Sequence, residues 1–299
     1  MDNDNEPIHA ISMGAGVQSS CMALMAKHGE IEPMPDFAIF SDTQGEAGYK
    51  TRNNPKGERE GLYAWLDWLE GELPFPVYTV TGGNLTEDSL RPRERQKDSD
   101  KGKKGEVYMK RLIPLFGLMP NGEKTAAIGR KCTADYKLKP LIKELRKRCG
   151  IKRGEKEVVA VSWLGISWDE IQRMKDSHLP WVDNRFPLIE KKMSRHHCLE
   201  WMKEKGYPEP PRSACFYCPF HGDDEWRKLR NEDPVHFKDA IAFDRRIREN
   251  FKQHDPVMKM EVFLHNSCRP LGEVDFDNDE DKGQLTWDFS AECEGLCGT

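Results

Sequence analysis

Several large classes are excluded by what this chain lacks. No run of about 18 apolar residues occurs, so no transmembrane helix is expected. The opening MDNDNEPIHA lacks the basic-then-apolar order of a secretory signal, which predicts an intracellular, cytoplasmic protein. There is no G-x-S-x-G elbow, no G-x-x-x-x-G-K-[ST] loop and no complete G-x-G-x-x-G. These absences argue against a plain α/β hydrolase, a lysine-bearing phosphate loop and a dinucleotide dehydrogenase. Disorder is also excluded: 299 residues with 37% hydrophobic and 32% charged side chains can bury a sizeable core.

The net charge of −5 conceals an asymmetry. Residues 91–153 hold 20 Lys and Arg against 7 Asp and Glu, whereas the rest of the chain holds 26 against 44. Such a block suits an anionic partner, and it equally suits a solvated loop and helix face. Nine cysteines in a reducing compartment are more often thiols or metal ligands than disulfides, so their spacing matters.

The runs IHAIS, DFAIFS, VYTVTG and VVAVSWLGIS read as strands bounded by Gly, Pro and Asp. Amphipathic segments lie between them: Leu62, Trp65, Leu66 and Leu69 follow helical spacing, as do Leu138, Leu141, Ile142 and Leu145. Strand alternating with helix predicts an α/β fold with a doubly wound parallel sheet over residues 1–180. Residues 181–299 are expected to form a mostly helical metal-binding region, with helices in SRHHCLEWMKEKGYP and PVHFKDAIAFDRRIREN and an acidic, irregular tail. Residues 91–111 show no period and few apolar residues, and read as a loop that is mobile or ordered by a ligand.

The stretch ISMGAGVQSSCMALMAKHG places Gly14 and Gly16 between a strand and a helix. Backbone there can approach a phosphate, and the helix offers unpaired N–H groups and the positive end of its dipole. Alone, the pattern fits a tight strand-to-helix turn equally well. Asp42 closes the second strand, where an acid can accept from a ribose hydroxyl, hold a metal or cap a turn. In GISWDEIQRMK, Ser167 and Glu170 have capping-box spacing. The C-x-x-C of Cys215 and Cys218 lets two sulfurs converge on one metal or cluster, while Cys132, Cys293 and Cys297 are further candidates and His221 is one for zinc. Cys21, Cys149 and Cys198 lie in apolar stretches and read as core, and the His196–His197 pair as helix surface.

Taken in order, SMGAGVQSS, IFSDTQGE, RKCTADYKLKP and LGISWDEIQRMK resemble the PP-loop superfamily, and most closely its phosphoadenosine phosphosulfate reductase group, over residues 8–225. The ending ECEG followed by CG is similar to a bacterial and phage branch. The resemblance implies the adenine nucleotide alpha-hydrolase-like fold and an adenine nucleotide, either ATP or a sulfonucleotide, held at Ser12, Gly14, Gly16, Ser19, Ser20, Asp42, Arg130, Gly165, Asp169 and Glu170. Lys137 and Arg173 would neutralise departing charge, and Cys293 in the Glu292-Cys293 stretch is similar to the tail cysteine that attacks sulfur in sulfonucleotide reductases. Two departures stand out: Gln18 occupies the place of the aspartate in S-G-G-x-D-S, which bears on any magnesium ion, and Lys131 stands where a second cysteine would precede Cys132.

The expected activity is therefore sulfonucleotide reduction or ATP-dependent sulfur transfer, with a 4Fe-4S cluster or, alternatively, zinc on Cys132, Cys215, Cys218, Cys293 and Cys297. Residues 91–153 would serve a tRNA or DNA acceptor, a thiol donor protein would supply sulfur, and no membrane is involved. The rival expectation is a non-catalytic, zinc-stabilised nucleic-acid-binding protein that kept the fold.

Overall fold

The computed structural model describes residues 6–46, 61–99, 102–152, 154–255 and 259–277. In chain order the strands are β1 (Ile8–Met13), β2 (Phe37–Asp42), β3 (Val77–Thr81), β4 (Pro92–Glu94), β5 (Val107–Met109), β6 (Leu115–Leu118), β7 (Lys124–Ile128), β8 (Ala160–Leu164), β9 (Val182–Arg185) and β10 (Glu261–Phe263). The helices are α1 (Val17–Lys27), α2 (Gly61–Glu72), α3 (Leu85–Leu90), α4 (Lys139–Arg148), α5 (Pro187–Glu190), α6 (Arg195–Glu204), α7 (Asp223–Glu232) and α8 (Pro234–His254).

The chain forms two compact units, and both are discontinuous: residues 1–83 with 133–214, and 84–132 with 215–299. This differs from the division at residue 180 expected from sequence. Residues 187–214 return to the first unit, where α6 packs on α1, while 84–132 supply β6, which pairs with β10 of the late segment.

The first unit is a mixed α/β structure around a five-stranded, all-parallel sheet in the order β3-β2-β1-β8-β9. The four expected strand runs supply β1, β2, β3 and β8. Every residue of β2 is buried, as a strand covered on both faces requires. One face packs α1, α2 and α6 into a single apolar cluster, and the other receives Leu141, Ile142 and Leu145 of α4. All four periodic residues of α2 are buried, each contributing about 1.5–3 kcal/mol if fully removed from water. Leu138 breaks the α4 pattern: it ends a π-helical turn, Cys132–Leu138, and is exposed.

The second unit contains the antiparallel sheet β10-β6-β7 and the hairpin β4-β5. The long α8 lies against β10 and β5, and its Phe243 stacks on Tyr217 with ring centroids 4.1 Å apart. Within residues 91–111, expected as a loop that is mobile or ordered by a ligand, Pro92–Glu94 pairs with Val107–Met109. Arg95 lies 4.5 Å over the Tyr108 ring, a cross-strand contact that composition alone does not announce. Among the described residues no helix is long and apolar enough to cross a membrane.

Candidate anion site at the strand switch point

Strand order reverses between β1 and β8, because the chain runs outward from β1 to β3 and returns to build β8 and β9 on the other side. In open parallel sheets, ligands bind beyond the carboxyl ends of the strands at such a reversal. A cleft of about 450 Å³ opens there, lined by Ser12, Gly14, Gly16 and Ser19 from the first loop, and by Leu164, Gly165 and Ile166 after β8. That volume lies within the range of small-ligand sites.

Three local features shape the cleft. The N-cap of α1 is Gly16, which has no side chain to occupy the first-turn amides, and that turn holds no acidic residue. Both the amides and the positive helix end are therefore left to a ligand. Ala15, wholly buried, takes the left-handed bend with φ of 56°, so the sharp turn falls between the two glycines rather than on either. Gly165 must be glycine for a different reason: a Cβ there would lie 2.9 Å from the Ser19 amide nitrogen and 3.0 Å from its Cα. The end of β8 can approach the first turn of α1 only without a side chain.

The cleft is electropositive. Lys137, Arg173, Arg195 and Arg212 line it against the single carboxylate of Glu170. Glu170 pairs with Arg173 and accepts a 3.4 Å hydrogen bond from the Gln18 amide. A larger cleft of about 750 Å³ in the second unit sets three cations, Arg248, Lys252 and Lys259, against Glu249, Asp255 and Glu261, and so offers no net attraction to a phosphate.

The expected site residues divide. Ser12, Gly14, Gly16, Ser19, Lys137, Gly165, Glu170 and Arg173 are brought together at the cleft. Ser20 is not among its lining residues: fully buried, its hydroxyl accepts from the Trp65 indole at 3.1 Å. Asp42 is also fully buried, its Oδ1 accepting from the Gln44 amide at 2.7 Å and the Tyr63 hydroxyl at 2.8 Å, so the turn-capping alternative describes it. Asp169 accepts from the Arg195 amide at 3.1 Å and anchors the start of α6. Ser167 makes no side-chain capping bond: the Glu170 amide donates to the Ser167 carbonyl at 2.9 Å, the buried Ser167 hydroxyl has no partner among the described residues, and the Glu170 carboxylate faces Gln18 and Arg173. Arg130 belongs to the second unit, 5.3 Å over the Phe220 ring. Arg195 and Arg212 were missed, although Arg195 follows the α6 cap Ser194, whose position can be read from SRHHC.

Cys215 and Cys218 share one turn, the Cys218 amide donating to the Cys215 carbonyl at 2.9 Å, and His221 follows with its amide on the Cys218 carbonyl at 3.0 Å. Among the described residues no group of three or more His, Cys, Asp or Glu is gathered as a metal set. Cys293 and Cys297 lie outside the described residues. Cys21 and Cys198 are wholly buried, and hydrogen bonding to Cys198 together with burial pushes the Cys21 thiol far up. Burial raises Cys149 to about 11. His196 and His197 are exposed, as expected; the His197 ring accepts from the Ser194 amide, and the Ser194 hydroxyl accepts from the His197 amide.

No protein-family model, no curated protein and no solved structure matches this chain.

Proposed function

We propose that the cleft holds the phosphoryl part of an adenine nucleotide, and that the chain is a PP-loop enzyme of the phosphoadenosine phosphosulfate reductase type carrying out sulfur chemistry. The observation that carries the reading is the convergence of four cations and an α1 N-terminus without a capping side chain on one cleft at the strand switch point. A polyanionic ligand suits this balance; adenine and sulfur are supplied by the resemblance of the four motifs. The adenine nucleotide alpha-hydrolase-like fold is part of the same proposal, supported by the parallel sheet order.

The residues present would act by position and field. Gly14, Gly16 and the first-turn amides of α1 fix phosphate oxygens, with the Ser12 and Ser19 hydroxyls beside them. Lys137, Arg173, Arg195 and Arg212 stabilise the charge that develops as pyrophosphate, AMP or a sulfur group departs, in the fixed geometry that electrostatic stabilisation requires. The purified protein is expected to bind ATP or adenosine 5′-phosphosulfate; binding of neither sinks the reading.

The iron–sulfur cluster is a separate claim. Among the described residues the cysteines do not complete a ligand set. Cys215 and Cys218 would be ligands, joined by Cys132, Cys293 or Cys297; zinc on the same thiolates is the alternative. An anaerobic visible spectrum with metal analysis decides: broad absorption near roughly 400 nm that disappears in Cys215→Ala supports iron, and bound zinc without absorption overturns it.

The basic run favours a second reading, a nucleic-acid acceptor or a purely nucleic-acid-binding role. It is divided between the units, with 12 of its 20 cations in residues 91–132 and 8 in 133–153. Binding of tRNA or DNA that falls steeply between low and moderate salt supports this reading, and a flat dependence removes it.

A further inference from the structure

Behind the cleft lies a carboxylate that the phosphate reading does not use. Glu46 is 2% exposed, and its Oε1 is 3.8 Å from the Lys137 ammonium, which itself lines the cleft. Its Oε2 is buried with no hydrogen-bond partner among the described residues. A buried acid in this state is costly when ionised unless a cation stays beside it.

The charged groups facing Glu46 come from three directions. Lys137, from the π-helical turn, and Arg212, from the segment before α7, favour its ionised form. Asp42, at the end of β2, disfavours it and is fixed in place by the Tyr63 hydroxyl of α2. Burial outweighs the two cations and holds the carboxyl above its usual range. Both cations line the cleft, so an anion bound there competes for the field that favours the ionised form of Glu46.

We propose that Glu46 is a positioning residue that holds Lys137 at the cleft and takes a proton from solvent when a bound anion engages Lys137. The proton resides on the carboxyl, the Lys137 ammonium stays charged and pairs with the ligand, and no other bond changes. Anion capture is thereby linked to uptake of as much as one proton, and this inference rests on the cleft being an anion site, as the nucleotide reading holds.

The sign follows from linkage. Between the unfolded carboxyl's ordinary value, near 4.5, and the higher folded value, the native state keeps a proton that the unfolded chain has released. Stability from this group therefore falls as pH rises through that window and is flat above it. A ligand that raises the folded value further binds more tightly as pH falls, by up to about tenfold per pH unit across the interval between the free and bound values.

The test compares wild type, the isosteric Glu46→Gln and Lys137→Met. Without ligand, the melting temperature of wild type should fall relative to Glu46→Gln as pH rises from about 4.5. With adenosine 5′-phosphosulfate, whose charges do not titrate near neutrality, calorimetry at a series of pH values in buffers of different ionisation enthalpy should show, in wild type, proton uptake that appears as pH rises through the free carboxyl's value, and none at any pH in either variant. Sulfate repeats the measurement without adenosine: uptake with sulfate but no nucleotide binding upholds Glu46 and overturns the nucleotide reading. Equal uptake in wild type and Glu46→Gln, or identical pH dependence of their stability, overturns the role of Glu46 while leaving nucleotide binding intact.

Discussion

The two units carry their positive charge differently. In the first, Lys137, Arg173, Arg195 and Arg212 converge on one cleft, where Glu170 pairs with Arg173 and the buried Glu46 lies 3.8 Å from Lys137. In the second, Arg95 sits by Glu106 and over Tyr108, Arg230 meets Asp277 at 2.7 Å, and Arg248 meets Asp244 at 3.1 Å. Asp244 also accepts from the Leu264 and Leu271 amides, so that cluster ties α8 to the chain after β10. The three pairs of the second unit hold its elements together, whereas four cations around one cleft, with fewer carboxylates beside them, also favour an anion that is not part of the chain.

The sharpest way to break this comparison is to remove one cation from each unit. Arg212→Ala should weaken binding of ATP or adenosine 5′-phosphosulfate by about 10- to 150-fold, the equivalent of about 1.5–3 kcal/mol for a charge-assisted hydrogen bond. Arg95→Ala should leave nucleotide affinity unchanged and disturb only the β4-β5 hairpin. Titration calorimetry reads both. Equal losses in the two variants would erase the distinction between the units.

A backbone change tests the same cleft without touching charge. Gly165→Ala forces a methyl group against the Ser19 amide, and overpacking of this kind typically costs about 1–3 kcal/mol. The variant should melt earlier and bind nucleotide more weakly, since the displaced atoms belong to the first turn of α1. A melting temperature equal to that of wild type would show that β8 and α1 do not approach as closely as the structure has them.

How much of this is legible in the sequence depends on the range of the interaction. Four strands of the parallel sheet and the whole apolar face of α2 follow from local patterning, because β-branched runs and helical spacing are set by neighbours a few residues away. The loop at Gly14 and Gly16 is legible for the same reason. Arg195 and Arg212 are not, since they reach the cleft only after β8 and β9 have joined the sheet, and they follow both strands in the chain. Asp42 misleads differently: its position at a strand's carboxyl edge is right for a ligand, but the side chain is fully buried and its Oδ1 accepts from Tyr63, 21 residues on. The unit boundary is hidden because β6 finds its partner, β10, across more than 140 residues.

The smallest expected effect divides two adjacent residues. Ser19 and Ser20 look interchangeable in VQSSC, yet neighbours on a helix point about 100° apart. Ser19 lines the cleft, its hydroxyl 3.3 Å from the Gly16 carbonyl, and Ser20 holds the Trp65 indole inside the core. Ser20→Ala leaves that buried N–H unpaired and should lower stability by about 1–3 kcal/mol with nucleotide affinity unchanged. Ser19→Ala should do the opposite, weakening nucleotide binding by about 0.5–1.5 kcal/mol, with little change in melting temperature. If Ser20→Ala impairs binding as much as Ser19→Ala does, the first turn of α1 is rotated from the position described, and the helix end would then face the cleft through a different pair of side chains.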